Sequence, residues 1–457
     1  MMKNKAMRCV WLVCGLLMLA VTSCKDDLLY TDGEPIPEGE TTIIAQVDFR
    51  PLVEGLAGKS RTAGDAIKSI QDLCVLLYDT EGNFVEGHSL ESISNANPTD
   101  GQFYVNEVTR KDGDAPDGGT IAETKTPQAN LKLTIPYGRY YIYAVANMGE
   151  DFKKAVQAHG KENGAAEEVA KYKTAIATKE GLKSISLTWD VADVAKNSQM
   201  FGHFTIVGQE NNSELITINK KGMKLHSWIR RAASKVTIAY DGSKLEEGVF
   251  IYLKSVTIKD IPQNCCLGQD NPAVPENYQP KDRDEGVKLD LIKNGETIKY
   301  YEGDTEPTIS DFKETYEARI TKGKPLFGSK EQGENAYHPK KLADVHTEIT
   351  NALYFYENMQ GKGKEGTPSD KRQVVANTLN KTEPTYPNGG QENNEAWKDA
   401  KPYGTYIEVD AFYVSINDKK VGRGPIKYRF MLGKDVITDY NAERNHHYKL
   451  TLKFKGY

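Results

Sequence analysis

Two adjacent pairs of residues in this chain are of types that could do redox or metal chemistry, Cys265-Cys266 and His446-His447. Neighbouring residues on an extended chain point to opposite faces, so neither pair can readily aim both side chains at one atom. No further Cys or His pair stands at the spacing of metal ligands. We therefore expect structural thiols here, and the sequence predicts neither a metal site nor a cofactor.

An acidic stretch over residues 112–123 superficially resembles a calcium loop. Such a loop needs Gly at its sixth position and an acidic or amide side chain at its fifth, where this chain has Asp117 and Pro116. We interpret the stretch as a solvated turn. The sequence also lacks a phosphate-binding glycine loop, a nucleophile elbow and a kinase signature, so an enzyme is not predicted.

The N-terminus combines three basic residues, an apolar run over residues 10–21, and small residues before Cys24. This order is typical of a secretory signal peptide, here residues 1–23. Cys24 resembles the lipidated cysteine of the bacterial lipobox, and Lys25-Asp26-Asp27 is similar to the surface-export signal of Bacteroidetes lipoproteins. These resemblances imply a surface-exposed lipoprotein held in the outer membrane by acyl chains on Cys24. The alternative, an uncleaved membrane helix, needs a longer apolar run.

The remaining sequence predicts an all-β protein. A chain of 457 residues is too long for a single hydrophobic core, so we expect more than one domain. Short runs typical of strands occur in two sets separated by turns and long loops, and the 25 Tyr of the chain suit such strands. We expect a flexible tether over 24–40 and β-sandwich domains over 41–221 and 222–457. Acidic and basic residues are interspersed at a net charge of −5, without the basic face of a nucleic-acid binder.

Individual elements can be placed from the same patterns. Residues 43–49 alternate as a half-buried strand, and runs at 131–135 and 140–146 flank a short turn, which predicts an antiparallel hairpin. Residues 152–182, interrupted by Gly160 and Gly164, predict two short surface helices. Residues 268–348 and 358–401 are polar and predict long loops.

Arg61 lies in a Gly-containing loop after the first strand, where proteases cut folded chains. Arg50 is a weaker candidate because Pro51 follows it. Taken alone, this position favours a simple solvated loop residue over a cleavage site.

The chain resembles the fimbrillins of Bacteroidales, the FimA- and Mfa-like pilins and accessory subunits. The resemblance rests on the lipobox and on a series of short motifs that occur in order along the mature chain: Leu76-Leu77-Tyr78-Asp79-x-x-Gly82, residues 138–147, residues 231–236, Tyr428-Arg429-x-x-Leu432-Gly433 and residues 444–448.

This resemblance implies two transthyretin-like β-sandwich domains and assembly with other fimbrial subunits into a fimbrium. It also implies that an Arg-specific protease cuts the loop at Arg61 and that the first strand then leaves. The displaceable strand would carry Ile43, Ala45, Val47 and Phe49. A strand from a neighbouring subunit would fill the groove, bound by backbone hydrogen bonds and alternating side chains.

The chain stops soon after its last predicted strand, without the extra segment that stalk subunits donate. The expectation is therefore a tip or accessory subunit that mediates adhesion to a host or bacterial surface protein or glycan. Two other classes compete with this one. The first is an outer-membrane glycan-binding lipoprotein of a polysaccharide-utilisation system, for which a β-sandwich is suitable. The second is a surface hydrolase, which no motif supports.

Overall fold

The computed structural model describes residues 35–49, 53–55, 72–86, 89–92, 98–100, 109–112, 125–157, 167–191, 194, 198–209, 213–244, 249–273, 289–299, 326–327, 352–366, 370–371, 404–417 and 420–455. Strands dominate these residues, which confirms the predicted all-β class. None of the helices in these segments is long and apolar enough to cross a membrane.

The strands of the N-terminal half are β1 (Glu40–Phe49), β2 (Val53–Gly55), β3 (Leu73–Tyr78), β4 (Ser89–Ser92), β5 (Pro98–Asp100), β6 (Thr109–Asp112), β7 (Lys125–Pro136), β8 (Gly138–Ala146), β9 (Ser186–Thr188), β10 (Met200–Ile206), β11 (Leu215–Ile218) and β12 (Lys224–Arg231). Those of the C-terminal half are β13 (Ala233–Lys244), β14 (Val249–Pro262), β15 (Asn264–Cys266), β16 (Leu291–Lys299), β17 (Leu326–Phe327), β18 (Ala352–Tyr356), β19 (Asn358–Lys362), β20 (Tyr406–Asn417), β21 (Lys420–Met431), β22 (Asp439–Ala442) and β23 (His446–Lys455).

The largest sheet has ten strands, with the path β11-β8-β10-β12-β1-β7-β4-β5, while β3 pairs with β8 and β6 with β7. Its central strands follow from their sequences. Every residue of the apolar run in β3 is buried, and β12 alternates between exposed and buried positions as a strand with one solvated face does. The strand β1 thus lies inside this sheet, between β12 and β7.

Strands of the C-terminal half form two further sheets, β18-β13-β23-β2, to which the N-terminal half contributes β2, and β16-β14-β20-β21, with β17 paired to β14. Their apolar faces form a second core, which includes Val236, Phe355, Ile407 and Tyr448. Two small sheets, β15-β9 and β19-β22, complete the pairing. Because β9 precedes β12 in the chain and β15 follows it, the β15-β9 sheet connects the two halves.

The predicted hairpin of residues 131–135 and 140–146 is wrong in its pairing. Both strands exist, as β7 and β8, but β7 pairs with β1, β4 and β6, whereas β8 pairs with β3, β10 and β11. The chain passes between these positions at Tyr137, whose N–H donates to the carbonyl of Gly39. Pairing with apolar strands that are distant in sequence, such as β1 for β7 and β3 for β8, is therefore preferred over pairing across the local turn.

The helical region was predicted as two surface helices, and its described residues form three, Gly149–Gln157, Glu167–Ala175 and Lys179–Lys183. These helices lie at the surface but also contribute side chains to the core. Phe152, Ala155 and Val156 of the first and Leu182 of the third are buried in the N-terminal core. Residues three and four apart share a face of a helix, so the first helix packs that face inward.

The loop predicted over residues 268–348 contains the nine-residue strand β16 and the short strand β17, and that over 358–401 begins with β19. The mixed polar and apolar sequence of β16 lacks the alternation from which a strand is predicted. The domain boundary expected between residues 221 and 222 stays a prediction. Strand β12, which comes after that boundary in the chain, belongs to the first sheet.

Candidate functional site

The first strand is hydrogen-bonded along both edges. It runs antiparallel to β7, with partners from Glu40↔Pro136 to Asp48↔Gln128. On its other edge it runs parallel to β12, from Ile44↔Lys224 to Phe49↔Ile229. Adjacent strands lie ~4.8 Å apart, so removing β1 would leave a slot one strand wide with unpaired backbone groups on both walls.

The inner face of β1 belongs to the N-terminal core. Ile43 and Val47 have no exposed side-chain surface and Ala45 is 1% exposed. Burying one Ile or Val side chain contributes roughly 1.5–3 kcal/mol, so this face carries a substantial share of the local stability. Three of the four residues predicted for the displaceable strand thus share one buried face, while displacement itself stays a prediction. The fourth, Phe49, is in β1, but its side chain is outside those described.

Side-chain size is complementary across the three strands on this inner face. The smallest residue, Ala45, lies between Leu131 of β7 and Leu225 of β12. Two positions further along, the larger Val47 lies between the small Ala129 and Ser227. Because interiors are close-packed, this alternation defines which residue of β1 occupies which position.

The outer face of β1 carries a polar contact to β12. Nε2 of His226 lies 2.8 Å from Oδ2 of Asp48, and Nε2 of Gln46 donates to the same oxygen over 2.8 Å. The side chains of His226 and Asp48 are only 13% and 16% exposed. Trp228 packs edge-on against the imidazole, with ring centroids 5.0 Å apart. We call Asp48, His226 and Trp228 the outer clasp.

Sequence reasoning missed the outer clasp. The alternation of β12 was a local signal for a strand, but no sequence pattern links His226 to a carboxylate 178 residues away. The same holds for β2, whose three residues lie in a predicted loop. It pairs in parallel with β23, so the segment after β1 passes to the C-terminal half.

Comparisons with known proteins give limited similarity. A family model described as a domain of unknown function, DUF4906, matches residues 353–452. No curated protein matches the chain significantly.

Several solved structures resemble this chain weakly. One, from Bacteroides eggerthii, is provisionally described as a cell adhesion protein; it is 12% identical, with 93% of this chain and 89% of that chain covered and a TM-score of 0.37. The tip fimbrial protein Mfa3 from Porphyromonas gingivalis, truncated at its C-terminus, is 10% identical, with coverages of 90% and 95% and a TM-score of 0.37. A fimbrial assembly protein from Parabacteroides distasonis is 10% identical, with coverages of 85% and 100% and a TM-score of 0.30. At these values the likenesses establish neither family nor function.

The two predicted processing positions, Cys24 and Arg61, lie outside the described residues, and lipidation and cleavage there stay predictions. Arg61 follows β2 and precedes β3 in the chain. Of the calcium-like stretch, the structure describes Asp112 at the end of β6.

The Cys and His pairs are placed in strands. Cys265 is buried, and burial raises the pKa of its thiol, while Cys266 is half-buried. Nε2 of His447 lies 2.8 Å from the hydroxyl of Thr237, and Nδ1 of His446 lies 2.7 Å from the carbonyl of Arg444. Among the described residues, no three His, Cys, Asp or Glu side chains are grouped as metal ligands.

A buried ion pair near Cys265 joins distant strands. Arg444 donates to the carboxylate of Glu357 and to the carbonyls of Cys266, Leu267 and Gln269. Burial opposes the positive charge of Arg444, but the hydrogen bond and charge of Glu357 outweigh it and raise the pKa of the guanidinium. The arrangement is a structural link, because every one of these partners is a protein group.

Proposed function

We propose that this chain is a surface-exposed fimbrillin-like lipoprotein, a tip or accessory subunit of a pilus that takes up a strand from another subunit and mediates adhesion. The observation that carries the proposal is the position of β1. The first strand after the predicted lipid anchor is an interior strand of a sheet, paired on both edges and buried along one face.

The physical reasoning follows from that position. If a protease cuts at Arg61, the segment that carries β1 and β2 is no longer covalently joined to β3 and the strands after it. Departure of this segment would expose the backbone of β7 and β12 and the apolar surface that covered Ile43 and Val47, and it would also free the edge of β23 that pairs with β2. Such an opened sheet binds an extended segment readily, since backbone hydrogen bonds supply affinity and alternate side chains supply register.

Lipidation at Cys24 would hold the subunit at the outer membrane. A subunit anchored through acyl chains on Cys24 stays at the outer membrane until the cut separates the anchor from the folded domains. Cleavage would then convert a membrane-bound monomer into a subunit that is free to enter a fimbrium.

The test begins with the full mature lipoprotein and an Arg-specific protease. We expect a new N-terminus at Thr62, loss of the lipid-bearing fragment from the folded protein, and incorporation into pili by immunogold labelling. The variant Arg61→Lys should stay uncut and membrane-bound, whereas Arg50→Lys should behave as the wild type. Retention of β1 after complete cutting would contradict strand exchange. Glycan-array binding without entry into pili would favour the glycan-capture lipoprotein instead.

A further inference from the structure

We propose that the groove occupied by β1 selects its incoming strand by a carboxylate, which takes the place of Asp48 in the outer clasp. This inference rests on the proposed function and deepens it by naming the chemistry of the partner. The partner is a strand that runs parallel to β12 and carries an acidic residue directly after the core-facing residue that takes the place of Val47.

The contacts of Asp48 are the first support. Its carboxylate accepts hydrogen bonds from His226 on the groove wall and from Gln46 on its own strand, both over 2.8 Å. The wall residue His226 remains when β1 leaves, whereas Asp48 and Gln46 leave with the strand. An incoming strand without an acid there would leave the shielded imidazole without its carboxylate partner.

The shielding by Trp228 strengthens this discrimination. Its ring lies against the imidazole, and the side chains of His226 and Asp48 are mostly buried although the face itself is solvated. A hydrogen bond to a carboxylate contributes more to binding affinity when it is partly shielded from water than at an open surface, and a mismatched charge in the same place lowers the affinity. A lysine in place of Asp48 would offer only N–H donors where the carboxylate of Asp48 accepts two hydrogen bonds.

The inner face fixes where the carboxylate falls. The small residue of the incoming strand must lie between Leu131 and Leu225, and a larger one between Ala129 and Ser227. A slip by two residues that moves Ile43 between the two leucines also moves Ala45 beside Ala129 and leaves a gap there, which costs packing energy. The same slip would carry the acid away from His226.

Together the walls specify a strand of the pattern apolar, any, small, any, branched apolar, acidic, read from the N-terminal end. The chain's own segment Ile43-Ile44-Ala45-Gln46-Val47-Asp48 satisfies it. Discrimination by His226 acts on the sixth position, on the face opposite the core.

The experiment uses the full mature chain, cut with an Arg-specific protease in an excess of ten-residue peptides that copy β1. We expect capture of the wild-type peptide, with roughly tenfold weaker binding of the Asp48→Asn peptide and roughly 100-fold weaker binding of the Asp48→Lys peptide. A peptide carrying Ile44→Val, on the same face but away from His226, is the matched control and should bind within about twofold of the wild type.

The groove variant His226→Leu should bind the wild-type peptide and the Asp48→Asn peptide about equally, while still capturing both through the backbone and the core. The variant His226→Gln serves the same purpose if the leucine variant does not fold. Equal binding of the wild-type, Asp48→Asn and Asp48→Lys peptides by the unmutated groove would overturn the carboxylate rule while leaving strand exchange intact. Capture of no peptide, with β1 retained, would overturn the proposed function and this inference with it.

Discussion

Glu357 and Arg444 form an ion pair in which both side chains are almost completely buried, at 3% and 4% exposed. Glu357 follows β18, whereas Arg444 precedes β23, and Arg444 also holds three carbonyls at and after the end of β15. One guanidinium therefore ties together three strands of the C-terminal half, of which β15 also pairs with β9 of the N-terminal half.

Breaking this pair should be costly. The variant Glu357→Gln leaves the buried charge of Arg444 with only the exposed Asp270, 3.7 Å from its Nε, as an acidic partner, so we expect the free energy of unfolding to fall by about 3–5 kcal/mol. Chemical denaturation measures this change. The double variant Glu357→Gln/Arg444→Met should lose less than the sum of the two single changes, and strict additivity would show that the pair is not coupled.

Acid should destabilise the protein through Glu408. Burial opposes ionisation of this carboxylate, but hydrogen bonds from Arg429, Lys259 and Lys427 prevail and lower its pKa from 4.5 to about 2. A depressed pKa in the folded state stabilises the fold above the unfolded pKa, and this contribution is lost as the pH falls from about 4.5 towards 2.

The matched variant for that prediction is Glu408→Gln. We expect it to unfold more easily at pH 7, by about 1–2 kcal/mol after allowance for solvent screening, and to converge with the wild type near pH 2. Denaturant midpoints measured across this range provide the check. An equal gap at both pH values would mean that ionisation of Glu408 contributes nothing.

Packing around Ala45 should not tolerate a larger residue. In the uncut chain, Ala45→Leu places a bulky side chain between Leu131 and Leu225, so we expect a loss of about 1–3 kcal/mol in unfolding free energy. The control Ile44→Leu alters a neighbouring side chain that is 41% exposed, and should stay within about 0.5 kcal/mol of the wild type. Comparable losses in the two variants would refute the size complementarity of the groove.

The proposed lipidation of Cys24 leads to a further prediction. Each buried CH₂ of an acyl chain contributes ~0.8 kcal/mol, so two or three chains anchor a protein stably. The variant Cys24→Ala should incorporate no labelled palmitate and should leave the membrane fraction. The variant Cys74→Ala, which removes a buried core thiol, should be labelled normally. Labelling of Cys24→Ala would locate the anchor elsewhere.

Local patterns in the sequence were sufficient for the class of the fold and for many strands. The alternation in β1 and the apolar run in β3 follow from the two-residue period of a strand, which depends on neighbouring residues alone. That period also predicted that Ala45 and Val47 face the core, and both are buried there.

The tertiary structure decided which strands are neighbours. The turn after β7 indicated a hairpin, yet β7 pairs with β1, because burial of apolar faces far apart in sequence outweighs one local turn. Parallel pairing of β1 with β12 has no local signature at all, and neither has the polar strand β16.

The same difference between local and long-range information applies to the two faces of β1. The buried apolar residues of β1 stand at every second position of one strand and could be predicted from the sequence. The contact of Asp48 with His226 joins residues 178 positions apart and exists only because β1 lies beside β12 in one particular register. The sequence alone therefore determined that a buried first strand exists, and the tertiary structure decided what surrounds it and which side chains can recognise it.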